Sequence, residues 1–241
     1  MKNERLCLVK HSNKLISTLD EHDWIKWKNE IEVVNLKNGI TLQEAGKKIS
    51  HIYFPISGIV SQQYDFEDGK SAETIQMGND GLVGVFVFTG SAVAMSRSLV
   101  IAEGLAYRCK TEWALAEFNE SSNFRRMVLK YLQMLMTFTS QSAICNRRHN
   151  IEQQLCRNLL FQLDRVAGDH ISMTHELISR SMGVRREGVS EAAKKLERQG
   201  AISYSRGQIK VLSREFLSDR ACECYDIIKG EQRRLFPPLN D

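Results

Sequence analysis

The 241-residue sequence predicts an α+β protein: an N-terminal β-roll resembling a double-stranded β-helix, a long helix and a C-terminal winged helix-turn-helix. Three observations carry this. Residues 31–115 alternate short apolar runs with turn residues, the stretch after Ser121 runs to about Arg148 without glycine or proline, and residues 169–212 read as helix, tight turn, helix and hairpin.

In the first region, 51–55 and 58–64 read as successive strands joined at Ile56-Ser57-Gly58. Asp68-Gly69 between two strand-like runs is the strongest hairpin signal. Ser98–Ala106 and Tyr107–Lys110 read as the closing strands. The long helix starts at a Ser121 or Ser122 cap. Along it Phe124, Val128, Tyr131, Leu135, Phe138, Ser142 and Cys145 recur at alternating steps of four and three, the spacing of a seam for a partner helix. A helix buried in its own core shows the same stripe, so periodicity leaves the two open. Ile151, Leu155, Leu159 and Leu163 mark a further amphipathic helix, with Asn150 as its cap and as a hinge.

The C-terminal unit holds the chemistry. Thr174 can cap a first helix, and Gly183 permits the turn of Met182-Gly183-Val184. A second helix runs from about Arg185 to Arg198, with Val189, Ala192, Ala193 and Leu196 as its buried stripe. Its other face opens with Arg185, Arg186, Glu187 and Ser190. Arginine reads guanine bidentately, glutamate accepts from cytosine, and serine suits several base edges. Gly200 stops the helix, and two short strands flank Arg206-Gly207 as a wing. Between Asp169 and Arg214 nine basic residues, Lys194 among them, face five acidic ones, a surplus equal to the chain's formal net charge of +4. That concentration suits phosphate contact. Double-stranded DNA is therefore the expected partner, and a two-fold protein reading two half-sites the expected assembly.

No apolar run approaches the roughly 20 residues of a membrane span, and MKNERLCLVK lacks the apolar stretch of a secretory signal, so a cytoplasmic location without membrane contact is expected. Cys7, Cys109, Cys145, Cys156, Cys222 and Cys224 are scattered, without paired C-x-x-C. The expectation is six reduced thiols, no metal site and no iron–sulfur cluster. His51 is the sole histidine considered as a haem ligand, and a structural strand histidine is the preferred reading. No G-x-S-x-G, Walker loop or H-E-x-x-H appears, so no enzyme is expected.

Strand roll, long helix, hinge and winged unit, in that order, resemble the Crp/Fnr family of bacterial transcription regulators. The resemblance spans about Ile31 to Tyr225 and is most specific in SHIYFPISGIVS (50–61), GNDGLVGV (78–85) and MGVRREGVSEAAKKLERQGAISYSRGQI (182–209). It implies a homodimer that senses a signal in an N-terminal effector domain (1–120), pairs through a dimerisation helix (121–149) and reads an inverted repeat with a DNA-binding domain (150–241). RNA polymerase is a partner if the protein activates. By the same resemblance Thr174 holds phosphate, with His175 beside it as phosphate donor or surface histidine, while Arg186, Glu187 and Ser190 face bases.

The sequence also departs from the family. Glu191 stands where an arginine is usual, and Gly188 inside the helix allows either close approach to DNA or mere tolerance. In the pocket Gly84 is followed by Val85, so the family's ribose-binding glutamate is absent. Arg97-Ser98 offers a grip for a cyclic phosphate, though the best register displaces the pair by one residue and turns Arg97 to the other face. Thr137 and Gln141 on the long helix are candidates for ligand contact or for solvent. The effector is thus unknown, with a cyclic nucleotide open. The alternative function is a cyclic-nucleotide-binding module whose helical end docks a protein.

Overall fold

The computed structural model describes residues 10–237 except 70 and 167. Cys7 lies outside the described residues. The chain divides into two compact units, one made chiefly of residues up to Gln133 and the other chiefly of Met134–Arg234.

In the first unit two 3₁₀ turns, Lys10–Ser12 and Ile16–Thr18, lead into α1 (Glu21–Glu30), capped by Asp20, whose side chain accepts from Asp23 N. Seven strands follow: β1 (Ile31–Leu36), β2 (Thr41–Gln43), β3 (His51–Pro55), β4 (Ile59–Asp65), β5 (Ser71–Met77), β6 (Arg97–Ala102) and β7 (Gly104–Lys110). They form two sheets, in the orders β1-β7-β3 and β2-β6-β4-β5. The roll is thus a pair of antiparallel sheets, with β7 pairing Ile31 to Cys109 on one side and His51 to Lys110 on the other. Ile52, Phe54, Val60, Val100 and Ala106 from the two sheets are fully buried, the apolar term that holds the unit together.

The closing strands break at Glu103 rather than between Ala106 and Tyr107, and strand structure ends at Lys110. Two elements escaped the strand reading. A 3₁₀ turn occupies Val85–Thr89 between left-handed Gly84 and Gly90, and α2 (Thr111–Glu120) follows the roll. Trp27 of α1 is wholly buried, its ring 4.8 Å from Trp113 of α2 and 5.5 Å from Phe54.

The long helix is α3 (Ser122–Arg148), and Ser121 is its cap, accepting from Phe124 N at 3.0 Å. Asn150 caps α4 (Ile151–Leu163) through a reciprocal capping box with Gln153. Then come β8 (His170–Ser172), α5 (His175–Met182), α6 (Arg186–Arg198), β9 (Ile202–Ser205), β10 (Gln208–Val211), α7 (Arg214–Arg220) and α8 (Cys224–Leu235), with sheet order β8-β10-β9. Leu155, Leu159, Leu160, Ile178, Val189, Leu196 and Leu217 close one core under these helices. No helix among the described residues is long and apolar enough to cross a membrane.

The expected seam on α3 is corrected. Phe124, Val128, Tyr131, Leu135 and Cys145 are buried by their own chain, and half-buried Phe138 packs on Phe161 at 5.6 Å. With half-buried Ser142 they form the inward face of α3, so they are not free to meet a partner helix. The apolar residues left in the open lie to one side of it: Leu129, Met136 and Ile144 are each more than half exposed, accompanied by Ala143 and half-buried Leu132.

Candidate nucleic-acid interface

Thr174 has the expected capping role: its Oγ1 accepts from Leu177 N at 3.2 Å and starts α5. Gly183, with φ of 65°, ends that helix in the left-handed region, and Arg185 opens α6 in extended conformation. The turn places α6 so that Val189, Ala192, Ala193 and Leu196 are buried. The periodicity of 3.6 then puts Arg186, Glu187, Ser190, Glu191 and Lys194 together on the outward face, where they line an open concavity of about 430 Å³. Arg185, Arg186, Glu187, Glu191 and Lys194 are exposed, so their polar groups are available for base edges and phosphates.

His175 is differently employed than its surface reading assumed. Its ring stacks on Tyr204 of β9 at 4.1 Å between centroids, and Nδ1 hydrogen-bonds Ser190 Oγ at 3.0 Å. Burial, helped by the Arg186 charge, pushes its pKa below the usual 6.5, so the ring is neutral at pH 7. It positions Ser190 on the face of α6. Tyr204 was missed, since nothing in a hairpin strand marks a ring as a support for a histidine 29 residues earlier.

Gly188 is explained by packing. A Cβ there would stand 2.7 Å from Ile151 Cδ1, the movable end of a side chain on α4, so the glycine lies against α4. At the wing Arg206 is the one non-glycine residue with positive φ among the described residues, at 48°, followed by Gly207 at 78°. The pair makes a primed two-residue turn that holds an exposed guanidinium at the hairpin tip.

The pocket of the roll is nearly filled. The cavity beside Gly84 measures about 10 Å³, room for about one water. Gly84 has φ of 89°, and a Cβ on it would meet Gln43 Nε2 at 2.5 Å. Gln43 reaches across, donating to His51 O at 3.2 Å and accepting from Ser98 Oγ at 3.3 Å. Gln62 Nε2 donates to Ser96 Oγ at 2.7 Å on the same lining. Of the expected residues only Gly84, Val85 and Ser98 line this space. Arg97 is corrected: on the alternate face of β6 it donates to Asp65 Oδ1 at 2.8 Å and Gln63 Oε1 at 3.1 Å. Gln141 is corrected too, since its amide donates to Cys224 Sγ in the C-terminal unit, and Thr137 stands on the same half of α3.

The cysteines scattered in sequence are not scattered in space. Cys109 and Cys156 are single buried thiols, each pushed up to about 12 by burial. Cys145, Cys222 and Cys224 instead share one cluster with His149, which their spacing along the chain does not foretell.

The turn, the outward face of α6 and the wing together match a family model, the Crp-like helix-turn-helix domain, over residues 153–220. This segment is a Crp-like helix-turn-helix domain. About four fifths of the chain share the fold of Crp/Fnr regulators of known structure. FixK2 from Bradyrhizobium japonicum superposes with a TM-score of 0.70 at 14% identity, covering 80% of this chain and 98% of that one. A CRP-family transcriptional regulator from Thermus thermophilus gives 0.65 at 18% identity, covering 78% and 96%. The c-di-GMP responsive global regulator CLP of Xanthomonas campestris gives 0.66 at 14% identity, covering 80% and 100%. Compared by sequence with curated proteins, the chain matches none.

Proposed function

We propose that the protein is a homodimeric, cytoplasmic transcription regulator that reads an inverted-repeat operator with α6, acting by binding and not by catalysis. The observation that carries this is the outward face of α6, where Arg186, Glu187, Glu191 and Lys194 stand clear beside half-buried Ser190 on a helix otherwise anchored by its apolar stripe. Residues 150–241 form the reading part, and Thr174 and Arg206 flank it as phosphate contacts. The open stripe Leu129–Leu132–Met136–Ala143 supports pairing of two α3 helices, in place of the face that the chain itself buries. For the effector in residues 1–120, the small cavity and the glutamine bridge across it favour a regulator that does not take a cyclic nucleotide in that space.

The test is selection of duplex DNA from a random pool, followed by titration of the enriched site at fixed salt. The expected result is an inverted repeat, and Arg186→Ala weakens it by about 1–3 kcal/mol at one base position per half-site. No enriched sequence, or an Arg186→Ala protein that binds every site like the parent, overturns the reading. Thermal melts with saturating cyclic AMP and cyclic GMP should show no shift; a rise of several degrees would return the roll to nucleotide sensing.

A further inference from the structure

The C-terminal end of α3 and the start of α8 bring four metal-binding side chains together. Cys145 lies on α3 and His149 directly follows the helix, its N–H still donating to Cys145 O at 3.0 Å, so the two share one face. Cys222 and Cys224 flank Glu223 where α8 begins. Cys145 Sγ is 3.5 Å from Cys222 Sγ, and His149 Nδ1 is 3.5 Å from Cys224 Sγ. All four ligand atoms lie within 4.8 Å of one another. A tetrahedral zinc ion, with Zn–S of about 2.3 Å and Zn–N of about 2.0–2.1 Å, spaces its ligand atoms about 3.6–3.8 Å apart. The Cys145–Cys222 and His149–Cys224 separations are close to those of such a shell, and the remaining pairs lie within 4.8 Å.

Its surroundings are those of a metal site too. His149 Nε2 lies 3.2 Å from Glu223 Oε2, which engages that nitrogen and leaves Nδ1 facing the sulfurs, the carboxylate–histidine–metal arrangement. Gln141 Nε2 donates to Cys224 Sγ at 3.2 Å, as amides do to metal-bound thiolates. Arg157 is only 5% exposed, its charge reaches Cys145, and its Nε and Nη1 have no hydrogen-bond partner among the described residues. A buried guanidinium left like this is costly. Three thiolates around a divalent ion carry one net negative charge, which this arginine would offset.

We infer that Cys145, His149, Cys222 and Cys224 form a closed, structural Cys₃His zinc site. Three of the ligands are buried and the His149 side chain is 12% exposed, so no coordination position faces bulk solvent as a catalytic site requires. The single centre within reach of all four atoms suits one ion rather than a four-iron cube, and the soft thiolates select zinc over magnesium or calcium. A disulfide between Cys145 and Cys222 would account for two of the four residues and leave His149, Glu223 and Arg157 without a role. The ion fastens the end of α3, next to the Asn150 cap, to the segment joining α7 and α8.

The test uses the full chain purified under reducing conditions, without added metal, followed by elemental analysis. About one zinc per chain is expected, released by an organomercurial and not by brief chelation. Refilling the stripped protein with cobalt(II) should give thiolate-to-cobalt charge-transfer bands in the near ultraviolet and the visible bands of a tetrahedral ion. Cys145→Ser and Cys224→Ser should each lose the zinc, and metal-stripped parent should melt several degrees lower. Where a serine variant fails to fold, His149→Cys keeps four ligands and should retain zinc with a red-shifted cobalt spectrum. A reduced parent with neither stoichiometric metal nor cobalt bands overturns the site, as does zinc retained in the Cys145→Ser, Cys224→Ser double variant. Operator binding is a separate readout, so failure of either proposal leaves the other standing.

Discussion

Arg206 shows how one residue can serve the wing at the expense of the fold. A side chain at φ of 48° costs about 1–2 kcal/mol that glycine would avoid, yet the turn holds an exposed guanidinium at its tip. Arg206→Gly is therefore expected to raise stability by up to about 1 kcal/mol while weakening binding to all DNA sequences alike. The slope of log K against log salt should fall by about 1, measured by titration across a salt series. Unchanged affinity and slope would remove Arg206 from the interface. The residues of α6 were legible in the sequence because their chemistry follows from spacing on one helix. His175 was not, since its stacking on Tyr204 joins α5 to β9 across the fold.

At the scale of elements, α3 is the instructive case. Its sequence has two apolar faces, and the more regular one, Phe124 to Cys145, is the one its own chain covers. Periodicity reports that a face is apolar and is silent on what covers it. The less regular face, with Met136 at 71% exposed, is left open. If the proposed dimer forms through this face, Met136→Glu should give a monomer by sedimentation while moving the melting temperature of the monomer little, because the side chain is largely exposed within the chain. A variant that sediments as the parent dimer would move the interface elsewhere. Gly188 makes the same point in reverse: a residue that looked like a weak spot in a DNA-facing helix is where α6 meets Ile151 of α4.

Across the C-terminal unit, Asp164 joins α4 to α7 and α8. It accepts from Arg214 at 2.7 Å and from Tyr225 at 3.0 Å, with Lys229 Nζ 3.0 Å away. Burial opposes its ionisation, but the hydrogen bonds from Arg214 and Lys229 outweigh that and hold its pKa below 3.8. The sign follows: a depressed carboxyl stabilises the fold above the unfolded value near 3.8 and loses that contribution as pH falls through the folded value. Asp164→Asn should cost about 2 kcal/mol at pH 7 and progressively less below about pH 4, measured by denaturant titration at each pH. An equal loss at both pH values would mean that packing, not charge, is what the substitution removes.

The sequence by itself determined what depends on neighbours along the chain. The caps at Thr174 and Asn150, the turn at Gly183, the Asp68-Gly69 turn between β4 and β5 and the outward face of α6 are set within a few residues, where φ, hydrogen bonds and helical periodicity suffice. Tertiary structure decided whatever depends on distant segments meeting. It turned Arg97 onto Asp65 and drew Gln43 across the pocket, because a one-residue register on a strand selects the face. It spent one face of α3 on the core and left the other open. It also brought Cys145 and His149 to Cys222 and Cys224 over more than 70 residues, a meeting that no local spacing encodes.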